Sequence, residues 1–405
     1  MNRDEKLAEL ASLIQNYREG ELDFDLDTEH VQKWLSQFNP DSQDAILYET
    51  VHIFKDWFIS NAHIDELIDR IIPYLQKRYG FDSAQSVFGA VAFLGTQKDG
   101  KSQQVMLSRF INRVYEQYGY RVKTQIDNDI SCYVYFDDGL FTGSRARKDI
   151  ADCIVSLPAK SSLEVFYIVA CESGFQYVKK QVGALAERYE ITVRMHRFKV
   201  IWNDKTVRWN ANDSTETWMV NYNCLWPAPS LKNNDEVITF AEKLKSFDGK
   251  FEKYPFRRTQ WVYDAGPFST VTNRNAVEKE FLLCGIRILN KIADSKGIYP
   301  LGYNLWPSFG LGSFCAFEMN ISNTAPLVLW WGNNRKEDNC LDDWYPLLPR
   351  RIKSTTDAKL SVDETEYWGE CNPMDQYNMC PDCGMYFGIE RDGGNGFCVD
   401  CAWKH

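Results

Sequence analysis

The sequence has no segment that looks like a membrane anchor or a secretion signal. No apolar run of about eighteen residues, the length that spans a membrane, occurs anywhere in its 405 residues. The first residues, Met1 to Lys6, lead into a polar helix without the long apolar core of a signal peptide. We therefore expect a cytoplasmic protein that has no membrane partner.

The sequence also lacks a general attraction for nucleic acid. Its net charge of −10 gives no global pull toward phosphate backbones, so direct nucleic-acid binding would need a local basic patch. Basic residues alternate with aromatic ones in one candidate patch, although a solvated helix and loop is the better explanation of them. The patch contains Lys243, Lys245, Lys250, Lys253, Arg257 and Arg258. No histidine spacing suggests a metal, and no Ser-His-Asp or Cys-His pairing can be identified.

Composition and length indicate a globular chain of two to four domains. Hydrophobic residues make up 44% of the chain and charged residues 25%, which is typical of folded proteins. Apolar residues recur at helical spacing over residues 1–80 and predict an N-terminal helical domain. Residues 201–360 predict an α+β extension, with a helix over 276–292 and strands over 314–317 and 327–331.

Between these two regions, residues 81–200 alternate between apolar strands and helices. Strands are predicted over 87–94, 131–136 and 165–170, and a fourth near 191–193. Strand, loop and helix repeated in this way predict an α/β domain whose sheet is parallel in its core. Ligands of such sheets bind at the carboxyl ends of the strands.

The most informative pattern follows the strand over 131–136. It reads Asp137-Asp138-Gly139-Leu140-Phe141-Thr142-Gly143-Ser144. Backbone amides and short hydroxyls in a tight turn before a helix can bind a phosphate, and two carboxylates can hold ribose hydroxyls or Mg²⁺. A 5-phosphoribosyl group requires this combination. An acidic strand end in a purely structural turn is the alternative.

A second loop, from Gly95 to Ser102, lies between the preceding strand and its helix. It satisfies the P-loop pattern G-x-x-x-x-G-K-S, and Asp137-Asp138 would then be the acidic strand end of a nucleoside triphosphatase. Two observations weigh against that interpretation: the two motifs are only about 35 residues apart, and it leaves Thr142-Gly143 unexplained. The residues of this loop that suit phosphate binding are Gly95, Lys98, Gly100, Lys101 and Ser102.

The pattern of an apolar strand followed by Asp-Asp-x-x-x-Thr-Gly resembles the phosphoribosyl-diphosphate motif of type I phosphoribosyltransferases. Together with segments 31–38 and 317–327 and the Gly-Lys-Ser loop, it resembles the phosphoribosyltransferase-like proteins of bacterial conflict, or anti-phage defence, systems. The resemblance implies a type I phosphoribosyltransferase-like sheet. It also implies a role in antiviral defence beside protein partners of a defence operon, such as a retron-type reverse transcriptase with its nucleic acid.

The resemblance also assigns roles to residues. In a phosphoribosyltransferase-like sheet, the loop from Gly95 to Ser102 would bind the diphosphate. Asp137 and Asp138 would be the catalytic pair that binds the ribose hydroxyls with Mg²⁺, and Thr142, Gly143 and Ser144 would hold the 5′-phosphate. Arg145 stands where the family usually has a second hydroxyl residue, and its guanidinium could itself meet a phosphate.

The C-terminus carries a metal-binding pattern. Two C-x-x-C pairs, Cys380 with Cys383 and Cys398 with Cys401, are separated by fourteen residues and predict a structural Zn²⁺ in a zinc ribbon over residues 361–405. Cys371 and His405 are spare potential ligands. Acidic residues dominate this segment, which favours a folding or protein-docking role over nucleic-acid binding. The other seven cysteines are expected to be buried free thiols.

Three functions follow from these patterns. The first is an effector that binds a phosphoribosyl donor or a nucleotide with Mg²⁺, and transfers or cleaves at the anomeric carbon of the ribosyl group. The second is a nucleotide-sensing and docking protein without transfer chemistry, which the Arg145 departure favours. The third is a P-loop nucleoside triphosphatase.

Overall fold

A computed structural model describes most of the chain. The described residues are 2–96, 102–203, 223–248, 251, 255–257, 265–291, 297–304, 307–332, 344–350, 377–379 and 386–388. Contacts between Cα atoms group the chain into two compact units, Met1–Phe58 with Asn203–His405, and Ile59–Trp202. The domain boundaries at residues 80, 200 and 360 stay predictions, because this grouping does not show which segments fold alone.

The N-terminal part of the first unit is helical, as the sequence predicts. The Asp27 carboxylate accepts a 2.9 Å hydrogen bond from the His30 amide and so caps the second helix. Asn39 caps the third helix, which begins at Pro40, a residue suited to a first helical position. The elements are α1 (Arg3–Ile14), α2 (Thr28–Leu35), α3 (Pro40–Trp57) and the short strand β1 (Phe58–Ile59).

The second unit alternates strands and helices around a parallel sheet, which confirms the predicted α/β class. Its elements are α4 (Asn61–Ile68), α5 (Ile71–Tyr79), α6 (Ala84–Ala90), β2 (Val91–Phe93), α7 (Ser102–Tyr118), β3 (Cys132–Leu140), α8 (Ser144–Ser156), β4 (Ser162–Cys171), α9 (Glu172–Arg188) and β5 (Thr192–Ile201). The four strands β2 to β5 are parallel and lie in the order β2-β3-β4-β5.

Two strand predictions in this unit need correction. The strand predicted over 87–94 begins only at Val91, because Ser83 accepts a hydrogen bond from the Ser86 amide and starts a helix that runs to Ala90. The strand predicted over 191–193 extends to Ile201, because it pairs with β4 along its whole length. The apolar pattern thus located β2 and β5 but did not predict the residues at which these strands begin and end.

The chain order of the sheet reverses beside β2. Ala92 pairs with Tyr133 of β3 on one edge of β2, and it forms a parallel bridge with Lys123 on the other edge. The Phe93 amide donates a 2.8 Å hydrogen bond to the Lys123 carbonyl. The chain therefore passes from β2 to one side of the sheet and then returns to build β3 on the other side.

The helices before and after this reversal pack on opposite faces of the sheet. Phe110 of α7 stacks on Phe93 at a centroid distance of 4.3 Å, on one face of the sheet. Side chains of α8 and α9 pack on the opposite face, against Tyr133 and Tyr135. A parallel sheet with helices on both faces and a reversed strand order has a topological switch point, which here lies between the carboxyl ends of β2 and β3.

The remainder of the first unit contains short elements around one long helix. Its elements are a 3-10 turn (Pro229–Asn233), α10 (Asp235–Asp248), α11 (Val271–Asn290), β6 (Ile298–Tyr299), β7 (Gly302–Tyr303), β8 (Ala316–Phe317), β9 (Asn320–Ile321), α12 (Leu327–Trp330), β10 (Tyr377–Met379) and β11 (Tyr386–Gly388). The pairs β6-β7, β8-β9 and β10-β11 are antiparallel. Helix α11 confirms the helix predicted over 276–292, although it begins five residues earlier and ends at Asn290.

One strand prediction for this region is wrong, and another is confirmed only in part. The strand predicted over 327–331 is the single helical turn α12, in which the Trp331 amide donates a 2.8 Å hydrogen bond to the Leu327 carbonyl. Its residues are all buried, and a short apolar run does not distinguish a strand from a buried helical turn. The strand predicted over 314–317 contains only Ala316 and Phe317.

One residue of the predicted basic patch is not on the surface. The Arg257 side chain is fully buried and forms a 2.9 Å ion pair with Glu278. It also donates a 2.6 Å hydrogen bond to Asn275. Arg257 therefore stabilises the interior of the first unit, whereas Lys250, Lys253 and Arg258 lie outside the described residues.

Within the part of the chain that the structure describes, no helix is long and apolar enough to cross a membrane. Six cysteines of the described residues are buried free thiols, as predicted. They are Cys132, Cys153, Cys171, Cys224, Cys284 and Cys315.

Candidate functional site

Strand β3 carries the acidic pair to the switch point. The sequence predicts a strand that ends before Asp137, but β3 continues through Asp137 and Asp138 to Leu140. The reason is its pairing with β4, in which Asp137 lies opposite Tyr167 and Leu140 opposite Ala170. The two carboxylates are therefore held by a regular strand near the carboxyl edge of the sheet, where α/β proteins bind ligands.

Asp137 is buried among hydrogen-bond donors. One of its carboxylate oxygens, Oδ2, accepts a 3.0 Å hydrogen bond from the Tyr135 hydroxyl. The other, Oδ1, accepts a 3.2 Å bond from the Ser102 hydroxyl and a 2.9 Å bond from the Asp138 amide. Asp138 is only half-buried, and its Oδ1 accepts a 2.7 Å bond from the Gly139 amide. The structure thus places Ser102 of the first loop beside Asp137 of the acidic motif.

The two carboxylates share an environment that disfavours ionisation. Burial raises the pKa of Asp137 well above its ordinary value, and the neighbouring Asp138 charge raises it further. Burial also raises the pKa of Asp138, although hydrogen bonds to Asp137 and Gly139 act in the opposite direction. A cation or the hydroxyl groups of a ligand would relieve this strain by replacing the missing solvent.

The turn after β3 depends on two glycines. Gly143 has a φ of 87°, and a Cβ there would lie 2.8 Å from Val178 of α9. A Cβ on Gly174 would lie only 1.9 Å from the Phe141 carbonyl oxygen. Helix α9 therefore packs directly on the backbone of the turn and fixes its shape.

Helix α8 starts immediately after this turn. Gly143 is its N-cap residue and provides no side-chain cap for the first amides of the helix. Thr142 and Ser144 are half-buried at this end. Helical amides without a side-chain cap, a favourable helix dipole and two hydroxyls are what a phosphate group needs. The phosphate-binding role of Thr142, Gly143 and Ser144 stays a prediction.

Arg145 lies in the first turn of α8, and its side chain is held by Asp149 in the next turn of the same helix. Its Nε donates to both carboxylate oxygens of Asp149, at 3.0 and 3.1 Å. The Arg145 side chain is 46% exposed, whereas the Asp149 side chain is only 5% exposed. The guanidinium is thus fixed at the helix end from which a phosphate would be bound.

The first loop begins and ends at described residues. Gly95 and Thr96 follow β2, and Ser102 opens α7. Lys98, Gly100 and Lys101, which were predicted to bind a diphosphate, lie outside the described residues. The described ends of the loop reach the same switch point as the acidic pair, since Ser102 contacts Asp137.

A model of the PRTase-CE family matches residues 31–350. The chain belongs to the PRTase-CE family. The matched range contains the whole α/β unit and its switch point, so the phosphoribosyltransferase-like class is established together with the parallel sheet. None of the curated proteins matches the chain.

One buried residue of this PRTase-CE protein was missed by sequence reasoning. Gln103 is fully buried, and its side-chain amide donates hydrogen bonds to the Leu94 carbonyl at 2.9 Å and the Phe136 carbonyl at 3.4 Å. Its Oε1 accepts a 3.2 Å bond from the Thr96 amide. Gln103 therefore joins the ends of β2 and β3 to the first loop. A glutamine beside an amphipathic stripe gives no sequence signal for this role.

The acidic pair of this PRTase-CE site fits a Mg²⁺ ion that is bound partly by the protein and partly by a phosphorylated ligand. In the described ranges no group of three or more His, Cys, Asp or Glu side chains is placed to hold a metal. Asp137 and Asp138 supply two carboxylates, and Mg²⁺ commonly binds through one or two carboxylates together with waters and substrate phosphates. The pair therefore suits a magnesium ion that arrives with a phosphorylated ligand.

The predicted zinc ligands of this PRTase-CE chain lie outside the described residues. Strands β10 and β11 are described, and they pair antiparallel with Met379 opposite Tyr386. Residues 380–385, with Cys380 and Cys383, connect these two strands in the sequence. The four-cysteine zinc site stays a prediction, as do the alternative ligands Cys371 and His405.

Proposed function

We propose that this PRTase-CE protein binds a phosphoribosyl donor or a nucleotide together with Mg²⁺ at the switch point between β2 and β3. The proposed chemistry is transfer or cleavage at the anomeric carbon of the ribosyl group, in the service of bacterial anti-phage defence. The observation that carries the proposal is the contact of Ser102 with Asp137 on a strand that leads directly into the Gly143 turn.

This contact brings three recognition elements to one edge of the sheet. The end of the first loop supplies a hydroxyl, β3 supplies two carboxylates, and the start of α8 supplies backbone amides. A phosphoribosyl diphosphate has a matching order of groups: a diphosphate, a ribose diol and a 5′-phosphate. The fit explains why the acidic pair remains in the strand despite the cost of burying charge.

Each group has a distinct task in the proposed site. Asp137 and Asp138 orient the ribose through its hydroxyls, and Thr142, Gly143, Ser144 and Arg145 hold the 5′-phosphate. Gly95, Gly100 and Ser102 approach the diphosphate, and Lys98 and Lys101 offset its charge as it leaves. Bound Mg²⁺ would supply further positive charge at the diphosphate and the ribose.

The biological setting is part of the proposal. A zinc ribbon at the acidic C-terminal segment would serve protein docking, and the partners would be products of a defence operon, such as a reverse transcriptase with its nucleic acid. The defence setting comes from the resemblance to the proteins of bacterial conflict systems. Membership of the PRTase-CE family supports the phosphoribosyltransferase-like part of that resemblance.

Calorimetry on the purified protein tests the proposed ligand. Phosphoribosyl diphosphate, ATP and NAD are titrated separately, with and without Mg²⁺, into the wild type, Asp138→Asn and the control Asp152→Asn, which changes an exposed aspartate of α8. We expect Mg²⁺-dependent binding of phosphoribosyl diphosphate that is lost in Asp138→Asn and retained in the control. Release of diphosphate on incubation with phosphoribosyl diphosphate alone would show cleavage by water, whereas transfer also needs an acceptor. Binding without release of diphosphate in a cell extract, which supplies acceptors, would support the sensing role.

A P-loop nucleoside triphosphatase is the second candidate, because the Ser102–Asp137 contact also suits it. In such enzymes a P-loop serine and an acidic strand residue hold the same Mg²⁺, and are therefore neighbours. Thr142→Val separates the two candidates, since it removes a hydroxyl from the 5′-phosphate turn only. Binding of ATP but not phosphoribosyl diphosphate, unaffected by Thr142→Val, would establish the P-loop function.

A further inference from the structure

Tyr135 places a hydroxyl between two buried carboxylates. Its oxygen lies 3.0 Å from Oδ2 of Asp137 and 3.5 Å from Oδ2 of Asp149. Tyr135 is fully buried and Asp149 is 4% exposed, so solvent does not compete for either contact. Tyr135 reads in the sequence as one more core residue of an apolar strand, and no function is assigned to it by the acidic motif.

The Tyr135 hydroxyl has one proton for two acceptors. Burial raises its pKa well above the ordinary tyrosine value, and the charges of Asp137 and Asp149 raise it further, so the hydroxyl remains a donor at any working pH. A hydroxyl donates only one hydrogen bond at a time. The shorter distance shows that it donates to Asp137 in this structure.

Asp149 is the second acceptor, and it is also the anchor of Arg145. Both of its oxygens accept from the Arg145 Nε, at 3.0 and 3.1 Å. A hydrogen bond from Tyr135 to Asp149 would occupy part of the same carboxylate and weaken its hold on Arg145. The two ends of the proposed ligand site are thus connected through three side chains.

We propose that Tyr135 and Asp149 are positioning residues that couple the acidic end of the pocket to its phosphate end. When a cation or a ribose hydroxyl engages Asp137, the Tyr135 hydroxyl turns from Asp137 to Asp149, and Arg145 becomes freer to meet the phosphate. Occupation of one end therefore strengthens binding at the other. This inference rests on the proposed function, because both ends must belong to one ligand site.

The physical basis is competition between acceptors. A carboxylate oxygen that binds a cation has less electron density to offer a donor, and the cation at Asp137 leaves the Asp149 oxygens as acceptors. The favoured partner of Tyr135 then changes without movement of β3, because the second acceptor is only 3.5 Å away. Such an element with two alternative hydrogen bonds, biased by the ligand, is the requirement for coupling between two sites.

The test is the Mg²⁺ dependence of phosphoribosyl diphosphate affinity, measured by calorimetry in two backgrounds. Arg145→Gln is made in the wild type and in Tyr135→Phe, which removes the hydroxyl and keeps the ring. Tyr133→Phe is the matched control, because it removes a buried hydroxyl of the same strand that donates a 2.6 Å hydrogen bond to the Asp127 carbonyl. Thermal unfolding confirms that each variant is folded.

We expect Tyr135→Phe to reduce the gain in affinity from Mg²⁺ by about fivefold or more, the lower range of coupling between sites. The loss caused by Arg145→Gln should then no longer depend on Mg²⁺. Tyr133→Phe should keep the wild-type dependence. If Tyr135→Phe does not fold, Asp149→Asn gives the same comparison, since it removes the second acceptor's charge.

Three results would overturn the inference. Wild-type Mg²⁺ dependence in Tyr135→Phe, with an unchanged effect of Arg145→Gln, would show that the ends act independently while the proposed function stands. An equal loss in Tyr133→Phe would show a general packing effect. Absence of any phosphoribosyl diphosphate binding by the wild type would remove the proposed function and the coupling together.

Discussion

The hydroxyl of Ser102, at the start of helix α7, donates a 3.2 Å hydrogen bond to Asp137 near the end of strand β3. Ser102 belongs to α7 and Asp137 to β3, and they are neighbours because β2, which precedes α7 in the chain, pairs directly with β3. The contact defines where a ligand would bind. It also leaves Asp137 buried and close to Asp138, which has a cost in stability.

We expect Asp137→Asn to stabilise the fold at neutral pH while it abolishes Mg²⁺-dependent ligand binding. The pKa of Asp137 is raised above its ordinary value of 3.8 in the folded protein. A raised pKa means that the folded state binds more protons than the unfolded state, so its contribution to stability is present at low pH and is lost as pH rises through the folded pKa. The gain should be on the order of 1 kcal/mol, as is common when a strained functional group is removed.

Thermal unfolding between pH 4 and pH 8 measures this effect. The wild type should lose more stability than Asp137→Asn as pH rises over that range. Ligand binding by the wild type should show the opposite trend and weaken as pH falls, because protons compete with Mg²⁺ for the carboxylates. Parallel stability curves for the two proteins would contradict the raised pKa.

Gly174→Ala should distort the turn that precedes α8. A Cβ at this position would lie 1.9 Å from the Phe141 carbonyl oxygen, and backbone cannot yield as a flexible side chain does. We expect a loss of about 1–3 kcal/mol in the free energy of unfolding. Ligand affinity should fall as well, since the 5′-phosphate turn changes shape.

Gly183→Ala is the control for this change on the same helix. No atom lies within 4 Å of the position of its Cβ, so alanine should stabilise α9 by about 0.5–1 kcal/mol. Chemical denaturation of both variants gives the comparison. If Gly174→Ala and Gly183→Ala changed the free energy of unfolding equally, α9 would not pack tightly on the turn at Gly174.

The purified protein should contain one Zn²⁺ per chain, bound by Cys380, Cys383, Cys398 and Cys401. Elemental analysis measures the content, and Cys380→Ser should reduce it because three thiolates and a hydroxyl bind Zn²⁺ less well than four thiolates. The control Cys340→Ser should leave the zinc content unchanged. Full zinc content in Cys380→Ser would move the site to Cys371 or His405.

The sequence predicts the local elements of the candidate site better than the long-range strand pairings that hold them in place. An apolar strand, two aspartates and a glycine turn follow one another in the chain, so local patterns locate β3, the turn and α8. The bridge of Lys123 to Ala92 joins segments far apart in the sequence, and no apolar run marks it. The extension of β3 through Asp137 depends on pairing with β4, which local propensity does not contain.

Gln103 illustrates the part that could not be predicted, and it carries its own test. Gln103→Leu keeps the volume but leaves the Thr96 amide and the Leu94 carbonyl without this partner. We expect a loss of about 1–3 kcal/mol in the free energy of unfolding, the usual cost of unsatisfied buried polar groups. Gln117→Leu, at an exposed position of α7, should change stability by less than about 0.5 kcal/mol.

Glu164 should control the stability of the second unit at acid pH. It is fully buried on β4, and its carboxylate accepts 2.6 Å hydrogen bonds from Tyr79 and His196 and pairs with Arg194 at 3.1 Å. Burial alone would raise the pKa of Glu164, but these partners together hold it below its ordinary value of 4.5. A lowered pKa means that this contribution is present above pH 4.5 and is lost as pH falls through the folded pKa.

Glu164→Gln should therefore cost about 2–3 kcal/mol at neutral pH, somewhat less than a fully buried ion pair, because the Arg194 and His196 side chains are 30% and 28% exposed. The difference from the wild type should shrink below pH 4, where the wild-type carboxylate also takes up a proton. Glu187→Gln, an exposed change on α9, serves as the control and should leave the stability profile as it is. Denaturation curves at several pH values decide the matter: a difference that stays constant with pH would mean that Glu164 acts through packing and not through its charge.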